Sequence, residues 1–160
     1  MKSLLFKCVS IFIVAFPCWG NELYVRQVGD NTNLTISQDG ANNKITGSGG
    51  RALVSGNNTS TTFTQTGDNN QVWSYMSADN GQQTVTQTGN TNYATVDCHG
   101  QYCTANITQN GNNNVAFAEG GNGGDNNQTF SITQDPTTLS SVQVDVNQTG
   151  GDITPSATGY

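Results

Sequence analysis

Three neighbouring residues, Cys98, His99 and Cys103, form the most reactive group that the 160-residue sequence places together. If the two cysteines flank a short arc between strands, their side chains face each other near enough for a disulfide, which would stabilise the fold by about 2 kcal/mol. Two reduced, buried thiols are the alternative. A metal site with His99 ranks third, because three ligands on so short an arc make a poor tetrahedron. We therefore favour a Cys98–Cys103 disulfide and predict no metal site.

Catalytic chemistry has little support in this sequence. His99 is the only histidine, and no serine or cysteine nucleophile is patterned beside it. The run from Gly120 to Asp125 resembles one calcium-binding Gly-Gly-x-Gly-x-Asp repeat, but such sites need several stacked copies. We predict a protein that is not an enzyme and that binds no cofactor.

The remaining candidate chemistry lies in side-chain amides, which recur at a fixed spacing. Three ungapped segments begin at Phe63, Val85 and Ile107, share the order apolar-Thr-Gln-x-Gly, and have glutamines 22 residues apart. The glutamines of two further copies, Gln27 and Gln38, are 11 residues apart, which is half of that period. An internal repeat of this length indicates a solenoid in which each turn contains two half-units.

Alternation within each half-unit predicts β-strands. Residues two, four and six before each glutamine share its face, and no charged residue after position 20 falls on that inward face. Clusters of Gly and Asn between the strands supply the positive φ of tight arcs. The arc glycines are Gly29, Gly40, Gly67, Gly89, Gly111 and Gly150. We predict an all-β solenoid (a β-helix) of about five turns over residues 21–151, with two strands per turn in the order strand–arc–strand–arc and a looser connection over Thr46–Asn58.

Inward amides need partners, because an unpaired buried amide costs about 1–3 kcal/mol. An amide stacked above its copy in the next turn donates to one neighbour and accepts from the other. The predicted inward amide ladder consists of Gln27, Gln38, Asn43, Gln65, Asn70, Gln87, Asn92, Gln109, Asn114, Gln134 and Gln148. At its two ends the ladder lacks partners, and the sequence shows no capping helix. Matching open ends form a heterologous interface, which builds filaments.

Composition excludes two classes of protein. Hydrophobic residues make up 33% of the chain and the formal net charge is −6. Five Lys and Arg residues are too few for a nucleic-acid surface, and no apolar stretch after position 20 is long enough to insert into a membrane. We therefore expect neither a nucleic-acid partner nor membrane insertion.

The first twenty residues have the pattern of a secretory signal peptide. Lys2 and Lys7 form a basic start, and the apolar run Val9–Phe16 follows. A lipid anchor at Cys18 is the weaker alternative. We predict a secreted protein with a signal peptide at 1–20, whose C-terminal tail, 152–160, is frayed.

The half-unit apolar-x-Gln-x-Gly-x-x-Asn resembles the curlin repeat of curli fibre subunits. Gln65, Gly67 and Asn70 carry the motif, the two following copies repeat it, and the likeness spans 23–150. The resemblance implies an extracellular amyloid fibre of biofilm matrix, with this chain as major subunit or nucleator. It also implies a second curlin as partner and export through a dedicated outer-membrane pore. The second glutamine of each turn is replaced in the middle turns by Met76, Cys98 and Gly120.

A monomeric, capped solenoid that acts as an adhesin or a surface-binding module is the alternative. Threonine-rich outer faces suggest ice binding, but the linear sequence shows no Thr-x-Thr array at a fixed phase, so we rank this reading below fibre formation. Trp73 and Tyr75 are expected on an outer face, where they would form an exposed patch.

Overall fold

The computed structural model describes residues 10–15, 20–23, 25–29, 31–47, 52–56, 58–77, 80–99, 102–118, 128–135 and 143–144. These residues form fourteen β-strands, and there is no helix among them. Gln148 and Gly150 of the predicted ladder and arcs lie outside the described residues, as does the tail 152–160.

The strands alternate between two parallel sheets. Sheet A contains, in spatial order, β1 (Ser10–Ala15), β4 (Asn33–Asp39), β7 (Ser60–Thr66), β9 (Gln82–Thr88), β11 (Cys103–Asn110) and β13 (Gln128–Gln134). Sheet B contains β2 (Glu22–Leu23), β3 (Val25–Val28), β5 (Lys44–Gly47), β6 (Ala52–Ser55), β8 (Gln71–Ser77), β10 (Tyr93–His99), β12 (Val115–Ala118) and β14 (Gln143–Val144). Almost every strand pairs with its copy one turn away, so the chain is an all-β solenoid of about four turns, as predicted.

The core is a thin layer of side chains between the two sheets. In β7, Thr61, Phe63 and Gln65 are buried, while Thr62 and Thr64 between them are partly exposed. The same alternation holds in β4, β8, β9 and β11. All charged side chains whose burial is described are at least partly exposed, namely Glu22, Arg26, Asp39, Lys44, Asp68, Asp97 and Asp135. The predicted inward face is therefore confirmed for the described residues.

The looser connection predicted over Thr46–Asn58 is wrong in part. Within that range Ala52–Ser55 form β6, which pairs with β3 on one side and β8 on the other. Strands β5 and β6 together span the length of β8, with the extra residues between Gly47 and Ala52. The insertion interrupts a strand of sheet B instead of lengthening an arc, because each half of that strand keeps its own hydrogen-bonded register.

Strand β1 lies within the segment that the sequence predicts to be removed as a signal peptide. It pairs in parallel with β4, from Ser10 opposite Asn33 to Ala15 opposite Gln38. In the full chain the outer edge of β4 is therefore covered by the chain's own N-terminal segment.

The outer face of sheet A corrects the expectation that no Thr-x-Thr array recurs at a fixed phase. Thr62 and Thr64 of β7 lie opposite Thr84 and Thr86 of β9. The linear spacing hides this register, because the turns differ in length: successive glutamines of the sheet A ladder are 27, 22, 22 and 25 residues apart.

Candidate functional site

A continuous ladder of glutamine amides runs along the inner side of sheet A. Each Nε2 donates to the Oε1 of the glutamine in the next turn, over 2.8 Å from Gln38 to Gln65 and 2.9 Å from Gln65 to Gln87. The bonds from Gln87 to Gln109 and from Gln109 to Gln134 are both 2.8 Å long. All four bonds point from the N-terminal toward the C-terminal end of the solenoid.

The second proton of each ladder amide crosses the interior to sheet B. Gln87 Nε2 donates to the Gln71 carbonyl over 3.0 Å, and Gln109 Nε2 donates to the Tyr93 carbonyl over the same distance. Gln65 and Gln134 make the equivalent bonds to Lys44 and Val115. The side chains of Gln65, Gln87, Gln109 and Gln134 are fully buried, and this pairing removes the desolvation cost of their amide protons.

A second ladder, made by asparagines, runs where each arc enters sheet B. The backbone N–H of Asn70 donates to Asn43 Oδ1 over 2.9 Å, and the N–H groups of Asn92 and Asn114 repeat this contact one turn further on at 3.0 Å. Each Nδ2 also closes its own arc, as Asn70 Nδ2 does on the Gly89 carbonyl at 2.7 Å. Asn21 Oδ1 extends the ladder by accepting from the Asn43 N–H at 2.7 Å.

The arcs that lead from sheet A to sheet B require glycine at their first position. Gly40, Gly67 and Gly89 have φ between +104° and +114°, a region that residues with a Cβ rarely adopt. A Cβ on Gly89 would also collide with the Gly111 carbonyl of the next turn, and the other two are equally crowded. The stacked arcs are held by backbone bonds such as Gly89 N–H to the Thr66 carbonyl at 2.9 Å.

The two ladders give the solenoid ends of opposite chemistry. Toward the C-terminal end point glutamine N–H donors and asparagine Oδ1 acceptors, whereas toward the N-terminal end point glutamine Oε1 acceptors and backbone N–H donors. Asn114 Oδ1, the last acceptor of its ladder, is buried and has no partner among the described residues. At the other end, Gln38 is the first rung, because the residue paired with it on β1 is Ala15, which has no amide. One end therefore matches the other.

Gln27 does not belong to either ladder. Its backbone lies in β3 of sheet B, opposite Val54, and the same column continues with Met76 and Cys98. The other predicted amides whose side chains the structure describes, from Gln38 to Gln134, are brought together as two ladders and not as one.

Sequence reasoning missed two polar features. Ser74 Oγ donates to Gln83 Oε1 inside the third turn, and Gln83 Nε2 donates to the Tyr75 carbonyl at 3.2 Å. Outside, Asp68, Asn90 and Asn112 each accept from the backbone N–H one turn earlier, at 2.7–2.8 Å. Recurrence of an Asx residue immediately after the arc glycine was the sequence signal for this third ladder.

Cys103 is buried and disulfide-bonded in the structure. It opens β11, and the backbone of Cys98 lies near the end of β10, where it pairs with Met76. The side chains of Cys98 and His99 lie outside the described part of the chain, so the pairing of Cys98 with Cys103 stays a prediction. No cluster of three His, Cys, Asp or Glu side chains that could share a metal ion occurs among the described residues.

Comparison with known proteins found no matching family model, no matching curated protein and no matching solved structure. Within the described ranges, no helix has the length and apolarity needed to cross a membrane. The arrangement of the described residues is that of a polar stack whose two ends are chemically complementary.

Proposed function

We propose that this chain is a secreted structural subunit that assembles head to tail, by templated strand addition, into an extracellular amyloid-type fibre like curli. One observation carries the proposal: both ladders run in a single direction, so one end of a copy offers the groups that the other end lacks. Such a heterologous contact does not close on itself and therefore grows into a filament.

The contact between two copies would repeat the contact between two turns. Within the chain, adjacent turns share two parallel strand pairings, one glutamine bond, one asparagine bond and the arc bonds. Docking a second copy adds one more such layer at the strand spacing of about 4.8 Å. The principal partner is thus another copy of this chain. A second curlin and an outer-membrane export pore remain partners that the resemblance alone implies.

Strand β1 makes the proposal conditional on processing. The edge of β4, where a new layer would add, is paired with Ser10–Ala15 over six residues. Elongation at this edge needs removal or displacement of that segment. We therefore expect the chain that starts at Asn21 to assemble faster than the full chain.

The proposal is tested by thioflavin T fluorescence of the purified full chain and of the chain that starts at Asn21, each with and without sonicated seeds. Templated growth predicts a lag phase that seeds abolish in the shorter chain, together with a longer lag in the full chain. Persistent monomer with a single sharp melting transition in both chains would refute fibre formation and favour the adhesin alternative.

A matched pair of variants separates the ladder from general stability. Gln38→Leu removes the acceptor of the first rung, whereas Ser37→Ala changes the adjacent, outward residue of the same strand. In the chain that starts at Asn21, with unmodified seeds, we expect elongation to slow several-fold for Q38L and to stay unchanged for S37A. Equal rates for the two variants would show that the glutamine ladder does not template growth.

A further inference from the structure

The outer face of sheet A is a regular array of hydroxyl side chains. Five strands, β4, β7, β9, β11 and β13, each place four residues on this face, and fourteen of the twenty are threonine or serine. The rows are Asn33-Thr35-Ser37-Asp39, Ser60-Thr62-Thr64-Thr66, Gln82-Thr84-Thr86-Thr88, Thr104-Asn106-Thr108-Asn110 and Thr129-Ser131-Thr133-Asp135.

Parallel, in-register pairing makes this array periodic in two directions. Neighbouring rows are separated by the strand spacing of about 4.8 Å, and outward residues along one strand are about 6.6 Å apart. Ser37, Thr64, Thr86, Thr108 and Thr133 form one column with a hydroxyl in every row. Threonine has few χ1 rotamers, and in strands of identical backbone its hydroxyl and methyl groups repeat in the same orientation.

The array is neutral and free of aromatic rings. Its only charged members are Asp39 and Asp135, which stand at opposite ends of one edge column. The outer face of sheet B differs, because it carries Trp73, Tyr75 and a Tyr93–Phe117 pair with ring centroids 5.9 Å apart. A partner of the sheet A face must therefore be uncharged, must form hydrogen bonds, and must repeat along two directions.

We propose that the outer face of sheet A binds ice. A crystalline water surface is uncharged, offers donors and acceptors throughout, and repeats in two dimensions as the array does. Hydroxyl groups at fixed spacing bond surface waters without reorganising, while the methyl groups between them contact the lattice. A crystalline polysaccharide is the weaker candidate, because sugar rings stack on aromatic side chains, which lie on the opposite face.

The ice-binding face is independent of the fibre proposal. Fibre growth would use the two ends of the stack, whereas the array lies along its side. Polymerisation would lengthen the array without covering it, and a chain that never polymerises would still present five rows.

The test measures partition of the fluorescently labelled full chain into slowly growing ice, beside a bystander protein of similar size. The unmodified chain is expected in the ice at several times the bystander level. Thr64→Tyr with Thr86→Tyr places two rings in the centre of the array and should reduce partition to the bystander level. Thr95→Tyr is the matched control, since Thr95 lies on the outer face of sheet B between Trp73 and Phe117.

Three results would overturn the proposal: exclusion of the unmodified chain from ice, unchanged partition of the double variant, or equal loss in T95Y. Binding to crystalline cellulose with exclusion from ice would assign the face to a polysaccharide instead. Circular dichroism checks that each variant is folded. Thr86→Lys, a single substitution at a partly exposed site, provides a second disruptive variant and should also lose partition.

Discussion

Each turn of the solenoid has a uniform half and a variable half. The uniform half runs from a sheet A glutamine through the arc to a sheet B asparagine, and it recurs as Gln-x-Gly-x-x-Asn in Gln65–Asn70, Gln87–Asn92 and Gln109–Asn114. Its first copy, Gln38–Asn43, differs only at the variable positions. The variable half begins at the column that contains Gln27, Val54, Met76 and Cys98, and its arcs lack a regular glycine.

The difference shows that an amide ladder constrains the sequence as a whole and not residue by residue. A buried glutamine is satisfied only if the turns above and below carry glutamine as well, because its partners are its own copies. An apolar side chain imposes no such requirement, and Met76 is fully buried among unlike neighbours. The variable half can therefore change one turn at a time, while the uniform half cannot.

The largest effect is expected where the uniform ladder is cut. Gln87→Leu leaves Gln65 Nε2 without its 2.9 Å acceptor, Gln109 Oε1 without its donor, and the Gln71 carbonyl without its cross-sheet bond. With about 1–3 kcal/mol for each orphaned buried group, we expect a loss of about 4 kcal/mol in the free energy of unfolding, measured by guanidinium denaturation.

The control for that cut is Met76→Leu, a similar apolar volume in the variable half. It should cost less than about 1.5 kcal/mol, because no hydrogen bond is lost. If Q87L and M76L destabilise equally, the ladder is not what distinguishes the two halves.

The arc glycine of the uniform half should come next. Gly89→Ala forces a residue with a Cβ into φ +107° and against the Gly111 carbonyl, so we expect a loss of about 3 kcal/mol. Asn90→Ala, at the adjacent exposed position, loses only the bond from the Asp68 N–H and should cost about 1 kcal/mol. The first turn already carries Ala41 there. Thermal melting of both variants checks the order, and a larger loss in N90A would contradict it.

An amide introduced into the variable half should be harmful on its own. Met76→Gln places an amide between Val54 and Cys98, neither of which can complete a ladder, at a cost of about 2 kcal/mol. In the double variant V54Q/M76Q the two amides can bond each other, so the combined loss should be smaller than the sum of the single losses. A double-mutant cycle measures this coupling, and strict additivity would argue against a ladder between these positions.

The uniform half could be predicted from the sequence because its period and its polarity agree in every copy. The inward face, the sheet A glutamines and the arc glycines all follow from that agreement. The interrupted sheet B strand around β5 and β6, and the threonine array, could not be predicted in the same way. Both depend on which residues pair across turns of unequal length, and pairing is set by hydrogen bonds between strands that the linear spacing does not record.

The smallest expected effect concerns backbone strain in the two kinds of arc. Thr91 has φ +61°, where a β-branched residue is unfavourable, and the equivalent residues of neighbouring arcs are Asn42, Asn69 and Asn113. Thr91→Asn should therefore stabilise the fold by about 1 kcal/mol, seen as a higher melting temperature.

Tyr102, at φ +62° in the variable half, provides the comparison for Thr91. It is 54% exposed, and it follows the exposed Asn31–Asn58–Asn80 ladder one turn further on. Tyr102→Asn should relieve the same strain and also add a rung next to Asn80, so its gain should equal or exceed that of T91N. A gain confined to T91N would mean that the variable arc does not hold its residues in the geometry of the uniform one, and that the two halves of each turn differ in backbone as well as in side chains.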